Sequence, residues 1–116
     1  MTNQDTVFGR ILRGEVPARI VYEDDQAIAF HDINPQAPVH ILVIPRLPLR
    51  SVAEAEPEHE RLLGHLLLVA AEVARQQGID RTGYRLVVNH GPHGQQSVFH
   101  LHVHVIGGRQ LHWPPG

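Results

Sequence analysis

Histidine recurs at every second position in His100-Leu101-His102-Val103-His104, and Val105, Ile106, Gly107 and Gly108 follow directly. Side chains on a strand alternate faces with a period of two. An extended segment therefore puts three imidazoles on one face and Leu101, Val103 and Val105 on the other, ready for a core. β-Branched valines favour that extended form. A helix would turn successive histidines through roughly 200° and scatter them. The pattern predicts a strand over 98–107, half buried, with a chemical face and an apolar face.

Imidazole titrates near neutrality and serves as base, acid, nucleophile or metal ligand. Same-face neighbours on a strand lie about 6.5–7 Å apart. His100 and His104 would therefore stand roughly 13 Å apart, too far for one metal with bonds of about 2.0–2.1 Å. A metal site would use one His-x-His pair and a ligand from elsewhere. The other arrangement divides the labour: one ring attacks, a neighbour moves protons, the third orients. A solvated or core histidine face is the bland alternative.

The chain has 116 residues, a formal charge of −2, no lysine and no cysteine. This length suits one domain, 1–116. The charge gives no basic stripe for nucleic acid. Disulfides and thiolate metal sites are excluded. Met1–Asp5 lacks a basic-then-apolar signal pattern, and no apolar run approaches the ~20 residues of a membrane span. A soluble cytoplasmic protein is expected.

Residues 5–14 read as a short helix, capped by Asp5 or Thr6, with an apolar stripe of Val7, Phe8, Ile11 and Leu12, ended by Gly14. Strands 20–23 and 27–31 form a hairpin about Asp24-Asp25. Pro35 and Pro38 make 32–38 a loop, and strand 39–45 carries His40 at its start. Residues 46–56 form a loop, and a long helix runs from Pro57 to a Gly78 cap. Its leucines, valines and alanines cover more than one face, which predicts a homodimer using this helix. His59 and His65 are read as surface residues. Strand 84–89, the polar turn 90–97 and strand 98–107 complete a sheet of about five strands, the last two antiparallel. A Gly-bearing turn beside Asn89 and Ser97 can cradle a small anion. The 107–116 tail, with Trp113 before two prolines, is an irregular aromatic arm.

The His-x-His-x-His run followed by an apolar pair and Gly-Gly resembles the signature of the histidine-triad (HIT) superfamily. The segment from Phe30 to His40, the Asn89 strand, Gln96-Ser97 and the Trp113-Pro114-Pro115-Gly116 terminus resemble its histidine-triad nucleotide-binding (Hint) branch. The likeness spans about 5–116. It implies an α+β fold with a five-stranded antiparallel sheet, one short and one long helix, and a homodimer with a ten-stranded sheet. It also implies hydrolysis of purine nucleoside 5′-phosphoramidates, of the AMP-amide or AMP-lysine type, without a cofactor or metal. By the same resemblance His102 is the nucleophile that forms a nucleotidyl-histidine. His104 stands beside the leaving group and phosphate, His40 is a proton-relay partner, and His100 orients the nucleophile. Asn89, Gln96 and Ser97 correspond to phosphate and leaving-group contacts, shared with His102 and His104. Phe8, Ile11, Phe30, His31, Asp32 and Ile33 surround the nucleoside, Asp32 accepting from the ribose. Trp113 reaches the partner subunit's site.

The chemistry is consistent with that division. An amine leaves phosphorus well only when protonated, so the nucleophile must be neutral while a nearby imidazolium is charged. A bell-shaped pH–rate curve follows. One departure concerns the turn, where Gly94-Gln95-Gln96-Ser97 replaces the Gly-Gly-Gln-Ser usual in the family. If that position needs positive φ, Gln95 adds strain; otherwise it narrows the phosphate site. Rival readings are a metal-dependent hydrolase using His102, His104 and His40, a purine nucleotide-binding module with residual hydrolysis, and a dinucleoside polyphosphate hydrolase.

Overall fold

The computed structural model describes residues 6–116; Met1–Asp5, and with them the Asp5 cap and the N-terminal reading, lie outside the described residues. Helix α1 (Val7–Leu12) opens the chain. The Thr6 hydroxyl accepts the Gly9 N–H at 3.1 Å, the helical cap expected of a threonine there. Strands β1 (Ile20–Glu23) and β2 (Ala27–His31) form the hairpin. Its turn is built by Asp24, whose carboxylate accepts the N–H groups of Gln26 and Ala27, both at 2.8 Å. Strand β3 (Val39–Pro45) follows the proline loop. Helix α2 (Glu60–Gln76) is entered through a 3₁₀ turn at Pro57–His59 and closed by Gly78 at φ 74°. Strands β4 (Tyr84–Val87) and β5 (Val103–Gly107) complete the chain.

The five strands form one antiparallel sheet in the order β1-β2-β3-β5-β4. α2 packs on one face, over Ala27, Ala29, Ile41, Val43, Val103 and Val105. α1 covers part of the other, where Phe8 meets Ile28, Phe30, Leu42 and Ile44. Small alanines on β2 let α2 lie close to the sheet, while Phe8 and Phe30 meet edge to face at 5.5 Å.

Two strands are shorter than expected. The last begins at Val103 rather than 98, because β3 reaches Pro45, which has no N–H to give, and the segment beyond pairs differently. Leu101 N–H donates to the Leu49 carbonyl at 2.7 Å, outside the ladder. β4 stops at Val87 rather than 89, after its last partner, His104. His65 is also not a plain surface residue: it is half-buried on α2 and donates from Nε2 to Asp24 at 2.7 Å. Burial resists ionisation of Asp24, but hydrogen bonds from Gln26, Tyr22, His65 and Ala27 outweigh it and hold the carboxyl at about 2. No helix among the described residues is long and apolar enough to cross a membrane.

Candidate active site

The triad alternates as its spacing requires, although only its last member lies in the ladder. Leu101, Val103 and Val105 enter the α2-side core, while His100 and His102 meet the ring of Phe8 on the other side. Phe8 stands edge-on to His102, with centroids 5.1 Å apart. The His102 and His104 rings are 4.9 Å apart, and His40, brought alongside by the β3–β5 pairing, is 5.1 Å from His104.

The hydrogen bonds fix where each proton sits. The His102 Nδ1–H donates to the His100 carbonyl at 2.7 Å, which leaves Nε2 with a lone pair. The Gln36 backbone N–H donates to His40 Nδ1 at 3.0 Å, so the His40 proton is on Nε2. That proton is donated to His104 Nδ1 at 2.8 Å, so the His104 proton is in turn on its Nε2. The His100 Nε2–H donates to the Pro45 carbonyl at 2.8 Å; its Nδ1 is buried without a partner among the described residues. One ring therefore offers a lone pair and another an N–H, side by side.

All three triad rings and His40 are held below the usual histidine range, first by burial. For His104 the charges of His102 and His40 add to burial, and it falls to about 4. The Asp32 carboxylate opposes the shift at His40, His102 and His104, and its Oδ2 lies 3.5 Å from His40 Nε2. His31 is lowered too, by burial and then by Arg19. The ligating atoms of Asp32, His40 and His104 all lie within 4.8 Å of one another. Two imidazole nitrogens on a tetrahedral ion stand about 3.3 Å apart. The 2.8 Å contact of His40 Nε2 with His104 Nδ1 is shorter and holds a proton, so a cation bound by those two nitrogens would have to displace that proton and part the rings.

A cavity of about 430 Å³ opens beside these rings, of a size to take a small organic ligand. The structure brings Phe8, Ile11, Phe30, His31, Asp32, Ile33, His40, Ser97, His102 and His104 to its wall. It does not bring His100, Asn89, Gln96 or Trp113 there. Asn89 Nδ2 donates to the Gly94 carbonyl at 2.6 Å and shapes the turn. Gln96 Nε2 donates to the carbonyls of Arg50 and Val98. Trp113 is 81% exposed, its ring beside the Arg85 guanidinium. Gln95 has φ 62°, the only positive φ outside glycine among the described residues, so the turn does ask for a left-handed residue there. The sequence reading missed Val16, Pro17 and Ala18, which line the cavity after α1, and Gln36, whose backbone sets the His40 proton. Apolar residues flanking a proline after an amphipathic helix were a usable signal for the first group; a backbone donor leaves no trace in residue type.

A model of the HIT domain matches residues 13–111. The chain is 58% identical over 114 residues to an uncharacterized HIT-like protein of Synechococcus elongatus, covering 98% of this chain and 99% of that protein. It is 52% identical over 118 residues to a 14 kDa zinc-binding protein of Zea mays, covering all of this chain and 91% of the relative. Among solved structures, a HIT family hydrolase from Legionella pneumophila superposes with a TM-score of 0.94 at 42% identity, over 97% of this chain and 100% of that one. A histidine triad nucleotide-binding protein from Candida albicans does so with a TM-score of 0.81 at 25% identity, over 95% and 83%.

Proposed function

The chain belongs to the HIT family, and from that premise we propose that it hydrolyses purine nucleoside 5′-phosphoramidates through a nucleotidyl-histidine at His102. The observation that carries this reading is the proton pattern: a lone pair on His102 Nε2 beside an N–H on His104 Nε2, at the wall of a largely apolar cavity. The relatives named for hydrolysis and for nucleotide binding support the general class.

In this reading the base lies against Phe8, Ile11 and Phe30, and Asp32 accepts the ribose hydroxyls. His102 Nε2 attacks the α-phosphorus. The N–P bond to His102 forms as the P–N bond to the amine breaks. The imidazole becomes cationic and keeps its Nδ1–H on the His100 carbonyl. The bound phosphoryl anion favours one extra proton on the His40–His104 pair, raising it from its low value in the empty site. His104 passes that proton to the departing nitrogen, so the amine leaves neutral. Water then attacks phosphorus and returns a proton to the pair. Nucleoside monophosphate is released and His102 regains its lone pair. Ser97 at the cavity wall is placed to hydrogen-bond the phosphoryl group.

We further propose a homodimer. Leu67 and Leu68 on α2 are 50% and 70% exposed, an apolar surface on a helix whose buried residues are Leu66, Val69, Ala70, Val73 and Ala74. β4 is one of the sheet's two edge strands, open to pairing with a second copy into a ten-stranded sheet, from which Trp113 would reach the neighbouring site. A monomer in light scattering at micromolar concentration removes this part.

The test is a rapid quench with adenosine 5′-phosphoramidate, followed by intact mass and peptide mapping. An added AMP on His102 is expected. An adduct on another side chain overturns the assigned roles. A binding module predicts no adduct and no turnover. A metal-dependent hydrolase predicts turnover lost to a chelator.

A further inference from the structure

The two glycines after the triad and the arginine behind them take no part in the chemistry above. Both glycines sit where the chain is crowded. A Cβ on Gly107 would lie 2.8 Å from Ile79 Cδ1, and one on Gly108, at φ 91°, would lie 3.0 Å from Pro38 Cβ. Their smallness lets the chain leave β5 against the end of the 32–38 loop. That path delivers Arg109 to the same loop: its Nη2 donates to the Gln36 carbonyl at 3.1 Å, and its Nη1 to the Gln110 carbonyl at 3.1 Å.

Gln36 is the residue whose N–H sets the His40 proton. The geometry points to Arg109 as a positioning residue that, through the backbone of Gln36, decides which nitrogen of His40 and of His104 carries the proton. The loop has few other anchors. Asp32 N–H donates to the His40 carbonyl, Asn34 N–H to Asp32 Oδ1, and Gln36 Nε2 to the Asn34 carbonyl. The last two bonds lie within the loop, so they shape it without tying Gln36 to the sheet. Arg109 ties the Gln36 end to the chain leaving β5.

The consequence is a double inversion. Without the Gln36 N–H, only Asp32 Oδ2, 3.5 Å from His40 Nε2, still favours the proton on that nitrogen, and the Nδ1–H form of His40 becomes accessible. In that form its Nε2 would accept from His104 Nδ1–H, and His104 Nε2 would face the cavity as a lone pair rather than an N–H. The resting pair would then meet the leaving group with a lone pair, and the extra proton would have to be taken up at His104 Nε2 before it could be given. Arg109 touches neither ring, so its effect on the reaction runs through the Gln36 backbone. The inference rests on the proposed role of His40 and His104 as a proton relay, but its main readout does not depend on turnover.

That readout is the two-bond ¹H–¹⁵N spectrum of the histidine rings in the full chain, which distinguishes neutral Nδ1–H from Nε2–H forms. In the wild type, His40 and His104 should both be Nε2–H. Arg109→Gln should give averaged forms at both rings, kcat lowered about tenfold as part of the general-acid advantage is lost, an unchanged KM and an unchanged thermal midpoint. Arg109→Lys, which keeps one donor for the Gln36 carbonyl, should recover much of the wild-type spectrum. Gln36→Pro deletes the N–H itself and supplies the reference signature. A wild-type spectrum from Arg109→Gln overturns the inference, even if activity falls. A wild-type spectrum from Gln36→Pro overturns the proton assignment beneath it. If no phosphoramidate is turned over, the proposed activity fails while the spectra still decide the role of Arg109.

Discussion

The two faces of the sheet are made from alternate residues of the same strands, yet they are finished differently. On one, Ala27, Ala29, Ile41, Val43, Val103 and Val105 lie under the 17 residues of α2, and each is at most 3% exposed. On the other, Ile28, Phe30, Leu42 and Ile44 give way to His40, His102 and His104, and the cover is α1, six residues long. A cavity of about 430 Å³ is left where the short helix runs out. Burial has opposite uses on the two sides. Under α2 it removes apolar surface from water. Beside α1 it strips water from imidazoles, keeps them neutral, and leaves a hollow that a ligand can fill. The cavity exists because one face of an otherwise complete core is left under-covered.

The sharpest way to break the contrast is one substitution on each face. His102→Ala should lower phosphoramidate turnover by roughly 10⁴-fold or more, since the covalent route is lost, while leaving the thermal midpoint close to wild type. Leu66→Ala, on the face of α2 against the sheet, should do the reverse. Leu66 is 1% exposed, and truncation leaves a cavity costing about 2–5 kcal/mol in denaturant melts. Its turnover per folded molecule should be unchanged. If Leu66→Ala altered kcat in the cold, far from its melting point, the faces would be coupled more tightly than their packing indicates.

Acid separates the faces next. His104 falls from its ordinary value of 6.5 to about 4 on folding. Between those values the unfolded chain binds a proton that the folded chain refuses, so stability is full above pH 6.5 and is lost as the pH falls toward 4. The contribution from His104 alone is up to about 3 kcal/mol. His40, His100 and His102, also lowered by burial, act in the same direction. Asp24, on the hairpin beside α2, is held at about 2 against 3.8, so its contribution is lost only at lower pH. Urea melts from pH 7 to 3 should therefore show the site face weakening first, and His104→Asn should flatten that upper window. Asp32→Asn should move the acid limb of the rate profile further down, because the carboxylate raises His40, His102 and His104.

The face that packs on α2 was legible in the sequence because periodicity reports side-chain direction. Strands 20–23, 27–31 and 39–45, the long helix and the triad's alternation all follow from it. The site was legible only in its ring residues. Where the triad leaves the ladder was hidden, since it depends on Leu101 bonding to Leu49 across more than 50 residues. Asn89 and Gln96 have the residue types of anion contacts, but their side-chain N–H groups are turned to backbone carbonyls. The Gln36 N–H was hidden for a different reason: every residue but proline has one, and only the fold decides what it meets.

The smallest effect expected is at Gln95, and it locates strain on the site face. Its φ of 62° belongs to the left-handed region, which costs a side chain about 1 kcal/mol that glycine avoids, offset in part by the entropy glycine loses on folding. Neighbouring Gly94 is fixed by space instead, for a Cβ there would collide with the His90 carbonyl. The two positions of one turn therefore demand glycine-like behaviour for different reasons, and only one has it. Gln95→Gly should raise stability by a few tenths to about 1 kcal/mol, and Gln95→Val, β-branched in a left-handed residue, should lower it by more than that gain. A Gln95→Gly variant that melts below wild type would show that the glutamine side chain makes a contact worth more than its strain. A changed KM for phosphoramidate in the same variant, at unchanged kcat, would instead place that side chain at the mouth of the phosphate site.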